Sequence, residues 1–474
     1  MKLNKNIESC WGAGTFTCRL ALSAVIIAIA ALLLAGCDDF VEVDLPNSQL
    51  NTPNVFEEKA TAHAAMTEVY TRMRDNGLFS GNFRGLSFSM GLYADDLDYY
   101  GNPGNGYGQY YANSVTVTTA EVRTLFNTTY NQIYGCNAIV EGIGNSTALP
   151  AADKDRILGE ALFARAMLHF YLSEIFGPIP YIRTTDYEQN RHVSRTPIAQ
   201  VRALCLEDLD RAVSLLPLDY LAPSRTRPNK MAARALVGKI GLASGDYEMA
   251  ENEASAVINE TALYQNVQDL AQTFLKQSAA TIWQFSPANN SFGTLEASTF
   301  IFNAGPPTNG ALTQDLLAAF PPGDLRRQNW VRAISDGSTT WHHAYKYKAT
   351  SGTVAENSIV FRLPDMYLLR AEARARLGEL TTSKEDLNLI RNLAGVGNTG
   401  AVSQSEILSD ILLQNRLEFF CEHGHRFLDL KRYGLLDTIL SQTKPGWDSD
   451  DALLPIPEAE ILLNPNLLPQ NPGY

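Results

Sequence analysis

Residues 227–258 read RPNKMAARALVGKIGLASGDYEMAENEASAVI, and this stretch carries the clearest internal repeat of the chain. Its small and apolar residues recur three and four positions apart, which is the spacing of one helix face. Gly245 and Asp246 interrupt the pattern at its centre and are typical of a turn. Small residues such as Ala235 and Gly238 allow two helices to approach closely, and Tyr247 is placed to pack over the turn. The stretch therefore predicts a helical hairpin of the tetratricopeptide type.

The same hairpin pattern returns in residues 363–395, LPDMYLLRAEARARLGELTTSKEDLNLIRNLAG. Another helix pair is predicted upstream, and its second helix must stop at Phe176 because a glycine and two prolines follow. A last helix is predicted over Leu413–Tyr433. We therefore expect a mainly α protein, built on tetratricopeptide-like helical hairpins, with long irregular loops and a few short strands.

Two long segments depart from the helical pattern, residues 76–119 and residues 281–350. The first is rich in Gly, Asn and Tyr, and the second has short apolar runs such as Thr281–Phe285 among polar residues. Long irregular segments inside a compact domain are usually functional loops or disorder, and abundant aromatic residues argue against disorder. We expect both segments to be ordered excursions from a single domain that spans residues 37–474.

The first 36 residues have the pattern of a lipoprotein signal peptide. Basic residues precede an apolar stretch from Leu20 to Ala35, which is shorter than the roughly 20 residues that a membrane-spanning helix needs. The stretch ends in Leu-Ala-Gly-Cys, which resembles a lipobox. We expect cleavage after residue 36 and lipidation of Cys37, and two acyl chains suffice for stable anchoring. A plain secretory signal before an unmodified cysteine is the alternative.

Two segments near the C-terminus carry a family resemblance. Residues 412–434 read LLQNRLEFFCEHGHRFLDLKRYG, and residues 453–474 read LLPIPEAEILLNPNLLPQNPGY. Together with the lipobox and the helix pairs, they resemble the SusD/RagB family of outer-membrane lipoproteins. Residues 422–432 are similar to the family's Glu-Gly-His-Arg-Trp-Phe-Asp-Leu-Lys-Arg run, with an extra residue before Gly424. The resemblance spans nearly the whole mature chain.

The resemblance implies a nutrient-binding lipoprotein without catalytic activity or cofactor. Such a protein is anchored to the outer membrane, binds an oligosaccharide and delivers it to a TonB-dependent outer-membrane barrel. Asp38 and Asp39 resemble the tag that sends these lipoproteins to the cell surface, and a placement facing the periplasm is the alternative. Oligopeptide ligands also occur in the family, so the sequence leaves that ligand class open.

No catalytic motif is present in the sequence. It has no GxSxG elbow, no HExxH pair and no GxxxxGK[ST] loop, and no carboxylate pair is identifiable as a glycosidase dyad. The net charge of −13, without a Lys/Arg cluster, argues against nucleic acid as a partner. Residues 104–108 superficially resemble a nucleotide loop, but we expect neither a strand before them nor a helix directly after them. A glycoside hydrolase and a tetratricopeptide scaffold for protein partners are the alternatives from other classes.

Metal binding is not expected from the sequence. Asp95, Asp96 and Asp98 have the oxygen atoms that a divalent cation needs, but such a triplet is predicted to be a solvated turn. His423 and His425 are two apart on a predicted helix, so they could not both face one ion without a break at Gly424. The carboxylates of that helix are predicted to be ion-pair partners: Glu418, Glu422 and Asp429.

The cysteines that follow Cys37 are predicted to be buried free thiols. Cys136, Cys205 and Cys421 each lie among apolar neighbours in a predicted helix, without CxxC spacing. Their odd number cannot pair completely, so a disulfide framework is not expected.

The predicted ligand-binding surface is aromatic. Aromatic side chains stack on the apolar faces of sugar rings while polar side chains bond the hydroxyl groups. The resemblance places stacking aromatics in a loop after the first helices, which here is residues 99–111, and the second excursion is expected to close the site. Alternatively, the tyrosines pack the loop on the helical core. The predicted contact residues are Tyr99, Tyr100, Asn102, Tyr107, Tyr110 and Trp341, with Phe292 and Phe302 as weaker candidates and Trp283 and Trp330 as structural residues.

Overall fold

The computed structural model describes residues 53–288, 292–352 and 355–474. The α-helices of these residues are α1 Lys59–Asp75, α2 Leu86–Tyr93, α3 Gly106–Tyr111, α4 Ala120–Asn145, α5 Ala151–Phe176, α6 Tyr187–Asn190, α7 Ile198–Leu215, α8 Lys230–Ser244, α9 Tyr247–Ile258, α10 Leu295–Phe300, α11 Gln314–Ala319, α12 Leu325–Trp330, α13 Leu363–Leu377, α14 Leu380–Leu393, α15 Gln404–Phe419, α16 His425–Tyr433, α17 Leu436–Thr443 and α18 Glu458–Leu463. The strands are β1 Leu97–Tyr99, β2 Thr281–Phe285, β3 Gly310–Leu312, β4 Val331–Ser335, β5 Thr340–Ala344 and β6 Ser358–Arg362. The signal peptide and Cys37 lie outside the described residues.

Antiparallel helix pairs form the core. Helix α4 packs on α5, α5 on α7, α8 on α9, and α13 on both α9 and α14. The predicted turn of the α8–α9 hairpin is present: Gly245 has φ +77°, a conformation that glycine adopts without strain. The side chain of Asp246 then caps α9 by accepting a hydrogen bond from the backbone of Met249 at 3.0 Å. The prediction of a mainly helical fold built on such hairpins is confirmed.

The strands pair into three short antiparallel ladders. β1 pairs with β3, β2 with β6 and β4 with β5. Trp283 on β2 and Trp330 at the end of α12 are fully buried, and each indole N–H donates a hydrogen bond to a backbone carbonyl. Both tryptophans are therefore structural, as predicted.

The helix that was predicted over residues 413–433 is wrong as a single element. The chain leaves the helix after Phe419, and Cys421, His423 and Gly424 have φ values of +55°, +42° and +74°. The backbone N–H of His423 donates a hydrogen bond to Ser87 Oγ at 2.9 Å, so its partner lies in a distant part of the chain. Tertiary contacts of this kind override the periodicity that suggested one continuous helix. Cys421 therefore lies outside a helix, although the prediction of three buried free thiols is confirmed.

A buried ion network surrounds this break. Glu422 accepts hydrogen bonds from Arg362 at 3.1 and 2.9 Å and from Lys346, and Glu418 also pairs with Arg362. Asp429 pairs with Arg432 at 2.6 Å. The prediction that these carboxylates are ion-pair partners is confirmed.

The acidic triplet after α2 is not a solvated turn. Asp95 and Asp96 are buried, and the guanidinium of Arg426 donates two hydrogen bonds to Asp95, both of 2.7 Å. Arg416 lies 3.0 Å from the same carboxylate. The prediction failed because these partners lie more than three hundred residues away in the sequence, where no local pattern could reveal them.

The described residues belong to one compact unit, Leu50–Tyr474. Its C-terminal tail is tied to the core, because the amide of Asn471 donates to the carbonyls of Phe176 at 2.8 Å and Leu454 at 2.6 Å. Among the described residues, no helix has the length and apolar character needed to cross a membrane.

Candidate ligand-binding surface

The two excursions meet at a short ladder. β1 from the first excursion pairs with β3 from the second, with Leu97 opposite Leu312 and Tyr99 opposite Gly310. The ladder continues by one hydrogen bond, in which the backbone N–H of Tyr100 donates to Asn309 O at 2.6 Å. Strand β3 also contacts β5. Side chains from residues 99–111 and from β5 are therefore held next to each other.

Tyr100 and Trp341 lie close together at this junction. Tyr100 is 42% exposed and Trp341 is half-buried. Partial burial and the charge of Asp98 raise the pKa of Tyr100, while the nearby side chain of Trp341 opposes the rise. The tyrosine is therefore neutral at physiological pH, as a sugar-stacking ring should be.

The indole of Trp341 rests against a glycine. A Cβ atom added at Gly305 would lie 2.1 Å from the Trp341 ring, so any larger residue would displace the indole. On the same face of β5, His343 is buried and its ring centroid lies 4.9 Å from that of Phe302. Burial lowers the pKa of His343 and keeps it neutral. We call Tyr100, Phe302 and Trp341 the aromatic surface.

The loop after β1 is held by its own hydrogen bonds. The hydroxyl of Tyr99 and the amide of Asn105 exchange bonds of 3.0 and 2.8 Å, and Asn105 also caps α3 by accepting from Gly108 at 2.9 Å. Asn102 is exposed, and its side-chain oxygen accepts from the backbone of Gly104 at 2.9 Å. Tyr99 is thus a supporting residue, whereas Asn102 is open to solvent beside the aromatic surface.

Two of the predicted contact residues pack inward. Tyr110 is only 1% exposed and lies edge-on to Tyr93 at 5.8 Å, so its prediction as a ligand contact is wrong in this structure. Tyr107 is half-buried, with its ring 5.7 Å from that of Phe88, and burial raises its pKa to about 12. The alternative of core packing therefore describes Tyr110 fully and Tyr107 in part.

The secondary structure on either side of the glycine-rich residues 104–108 differs from that predicted. β1 precedes them and α3 begins at Gly106, so the expectation of no strand and no helix was wrong. The first turn of α3 is already capped by Asn105. A helix of six residues with an occupied N-terminus does not form a phosphate site, and the nucleotide-binding interpretation stays excluded.

Three features of the surface were missed or ranked low from sequence. His343 was not singled out, Gly305 had no recognisable role, and Phe302 was only a weaker candidate. A signal existed for His343, because residues two apart on a strand share a face, and Trp341 was already a candidate. Phe292 is 60% exposed and pairs with Ser351 in an isolated β-bridge.

The architecture defines a fold class built on helical hairpins, and solved structures share it. A SusD superfamily protein from Bacteroides vulgatus superposes with a TM-score of 0.75 at 22% identity, covering 88% of this chain and 100% of that one. A laminarin-binding SusD-like protein gives a TM-score of 0.74 at 22% identity, with the same coverage. The surface glycan-binding protein A of Bacteroides fluxus gives 0.72 at 18% identity, again with 88% and 100% covered.

The chain belongs to the SusD/RagB family. Residues 90–242 match a family model described as starch-binding and associating with the outer membrane, and residues 327–474 match the SusD family model. SusD-like protein P2 of Formosa agariphila is 24% identical over 95% of this chain and 99% of its own length. A SusD-like protein of Bacteroides ovatus is 23% identical over 85% of this chain and 80% of its own length.

Proposed function

We propose that this protein is a surface lipoprotein that binds an oligosaccharide on the aromatic surface and delivers it to a TonB-dependent outer-membrane barrel. The observation that carries the proposal is the closeness of Tyr100 and Trp341, two partly exposed rings supplied by segments far apart in the sequence. Two rings positioned by the β1–β3 ladder form a prearranged stacking surface, which lowers the entropic cost of ligand binding.

Polar groups beside the rings suit sugar hydroxyls. Asn102 is exposed and Asn309 is half-exposed, and amide side chains both donate and accept hydrogen bonds. The rings themselves are neutral, and the charge that acts on Tyr100 is the negative charge of Asp98, which disfavours an anionic ligand. A neutral glycan chain fits these properties better than a charged peptide.

The comparisons support a glycan ligand over an oligopeptide. One solved relative is named for binding laminarin, another is named a surface glycan-binding protein, and one matching family model is described as starch-binding. At identities of about one fifth to one quarter, these names suggest the class of ligand and do not identify the glycan.

The membrane anchor belongs to the same proposal. We infer that residues 1–36 are removed, that Cys37 carries the lipid, and that residues 37–474 form the single mature domain. The description of the first family model as associating with the outer membrane supports this localisation. The position of the protein over a transporter barrel is inferred from the family alone.

A catalytic role is not proposed. A glycoside hydrolase would need free carboxylates. Those considered from the sequence are instead paired with Arg362, Arg432 and other cations inside the protein: Glu418, Glu422 and Asp429. Glycosidases need two carboxylates on either side of an accessible bond. These buried ion pairs stabilise the fold instead.

A binding experiment on the purified protein tests the proposal. A glycan array and a peptide library would be screened side by side with the wild type and with the Trp341→Ala variant. We expect hits among neutral glycans that Trp341→Ala loses and that Tyr187→Ala, at an exposed tyrosine outside the surface, retains. Hits restricted to peptides, or turnover of a bound glycan, would contradict the proposal. Delivery is tested separately by co-purification of an outer-membrane barrel from the native membrane.

A further inference from the structure

A cavity of about 430 Å³ lies in the helical core, between α5, α8, α13 and α16. Its rim includes the exposed turn of the α8–α9 hairpin at Ser244 and Gly245. Cavities between packed helices with volumes of about 300–1,000 Å³ are common ligand sites. The cavity shares no residue with the aromatic surface, so it would be a separate site. Phe170 and Leu369 contribute apolar wall to it.

Ion pairs line this cavity. In each pair the cation is more exposed than its carboxylate, so the guanidinium and ammonium groups are the more accessible partners. The side-chain exposures of cation and carboxylate are 21% and 10% for Arg202–Glu174, 12% and 8% for Lys239–Asp365, and 17% and 1% for Arg432–Glu372.

Lys431 is the unmatched charge in the cavity. Its ammonium donates to the backbone carbonyl of Glu174 at 2.6 Å, and no carboxylate of the described residues lies within 4.0 Å of it. Burial lowers its pKa to about 8. Lys444 also lacks a carboxylate partner within that distance, but two carbonyls and the ring of Tyr111 surround its ammonium. Lys431 has one carbonyl and an open cavity.

The other charged residues of the lining offset the positive charge of Lys431 only from a distance. Asp429 is a second carboxylate on Arg432, so the lining as a whole is close to neutral. Burial raises the pKa of Asp429 to about 6 and lowers that of His425 well below its usual value. His425 is therefore uncharged at neutral pH. The ammonium of Lys431 has no carboxylate within 4.0 Å among the described residues, and the charge of Glu174 acts on it only from further away.

We propose that this cavity binds a small organic monoanion of about the size of a sugar acid, with its carboxylate on Lys431. A single unmatched ammonium calls for a single negative charge. The remaining N–H groups of Arg202 and Arg432 supply donors for further ligand oxygens, and the apolar wall accommodates the carbon skeleton. The proposal is independent of glycan binding on the aromatic surface.

Three monosaccharides that differ mainly in charge test this site: glucuronate, glucose and glucosamine. We expect calorimetry on the full protein at neutral pH to detect binding of glucuronate, with glucose weaker and glucosamine weakest. Equal binding of all three, or a preference for glucosamine, would overturn the proposal. Because the ammonium of Lys431 attracts an anionic sugar and repels a cationic one, the order of affinities reports whether the ligand lies beside this charge.

Matched lysine variants locate the binding. Lys431→Gln should weaken glucuronate binding at least about tenfold, the usual effect of losing one charged hydrogen bond. Lys384→Gln, at a half-buried lysine of α14 outside the cavity, should leave it unchanged. Ala243→Trp narrows the rim without removing a charge and should also abolish binding. It replaces Lys431→Gln as the test if Lys431→Gln proves poorly folded. Unaltered glucuronate affinity in folded Lys431→Gln or folded Ala243→Trp protein would refute the site.

Discussion

Tyr100 and Tyr110 belong to the same loop but have opposite surroundings. Tyr100 is 42% exposed beside Trp341, whereas Tyr110 is 1% exposed beside Tyr93. Composition could predict an aromatic loop, because Tyr and Asn are concentrated there. It could not predict which rings face the solvent, since that depends on partners such as Tyr93 and Trp341 that lie outside the loop.

Removing the exposed rings should affect binding and not stability. Trp341→Ala and Tyr100→Ala are each expected to weaken glycan binding about tenfold or more, because an anchoring aromatic is worth about 1–3 kcal/mol. Calorimetry with the best glycan from the array and a thermal melt would be run on each variant. A large fall in melting temperature with unchanged affinity would show that the pair is structural.

Removing the buried ring should have the reverse effect. Tyr110→Ala is expected to lower the free energy of unfolding by about 3–5 kcal/mol, as for other buried aromatic side chains. Denaturant unfolding measures this loss, and glycan affinity in the folded fraction should stay near that of the wild type. A variant with wild-type stability would mean that the loop is not packed as described.

The charge of Glu422 makes stability depend on pH. Burial alone would raise its pKa, but Arg362 and Lys346 outweigh burial and lower the pKa from 4.5 to about 2. The folded state therefore holds the ionised form more strongly than the unfolded state does. This contribution is fully present above pH 4.5 and is lost as the pH falls towards 2.

Thermal melts across this acidic range check the effect. The melting temperature of the wild type should fall between pH 4.5 and about pH 2. Glu422→Gln should be less stable at neutral pH, because it leaves buried cations unpaired, and it should show a flatter fall in acid. An acid dependence as steep as that of the wild type would show that Glu422 does not contribute.

At the scale of elements, local and distant causes separate clearly. The hairpins α8–α9 and α13–α14 were predictable because helical periodicity and a glycine turn are contained within each segment. The break between α15 and α16 was not, because it depends on Ser87 and on the ion network around Arg362. The β1–β3 ladder was also hidden, since two three-residue strands give almost no periodic signal.

Two glycines at the ends of α16 test how the break is held. Gly424 and Gly434 both have left-handed φ values, +74° and +67°, so alanine is strained at either position. A Cβ at Gly424 would also lie 3.2 Å from Met90, while nothing lies within 4 Å at Gly434. We expect Gly434→Ala to cost roughly 1 kcal/mol and Gly424→Ala clearly more. Equal losses in denaturant unfolding would show that packing against α2 is unimportant.

At the scale of the whole molecule, the anchor and the domain make separable contributions. The compact unit Leu50–Tyr474 contains both the helical core and the aromatic surface. Membrane attachment depends instead on Cys37, by the sequence prediction. Ligand binding should therefore survive without the lipid, whereas localisation should not.

Substitution of the lipidation residue tests this division. Cys37→Ser should move the protein from the outer-membrane fraction to the soluble fraction and abolish incorporation of labelled fatty acid. Its glycan affinity should equal that of the wild type, because no described residue of the aromatic surface is altered. Retention of Cys37→Ser in the membrane would point to attachment by another route.

The pairing of Leu97 with Leu312 has a consequence for how a newly made chain folds. Contacts between residues so far apart form slowly, because a long loop must close before they are gained. Hairpins such as α8–α9 need only neighbouring residues and can form while the rest of the chain is still emerging. The aromatic surface is thus completed late, after both excursions have been delivered and docked. Only a molecule that has finished folding would then bind a glycan.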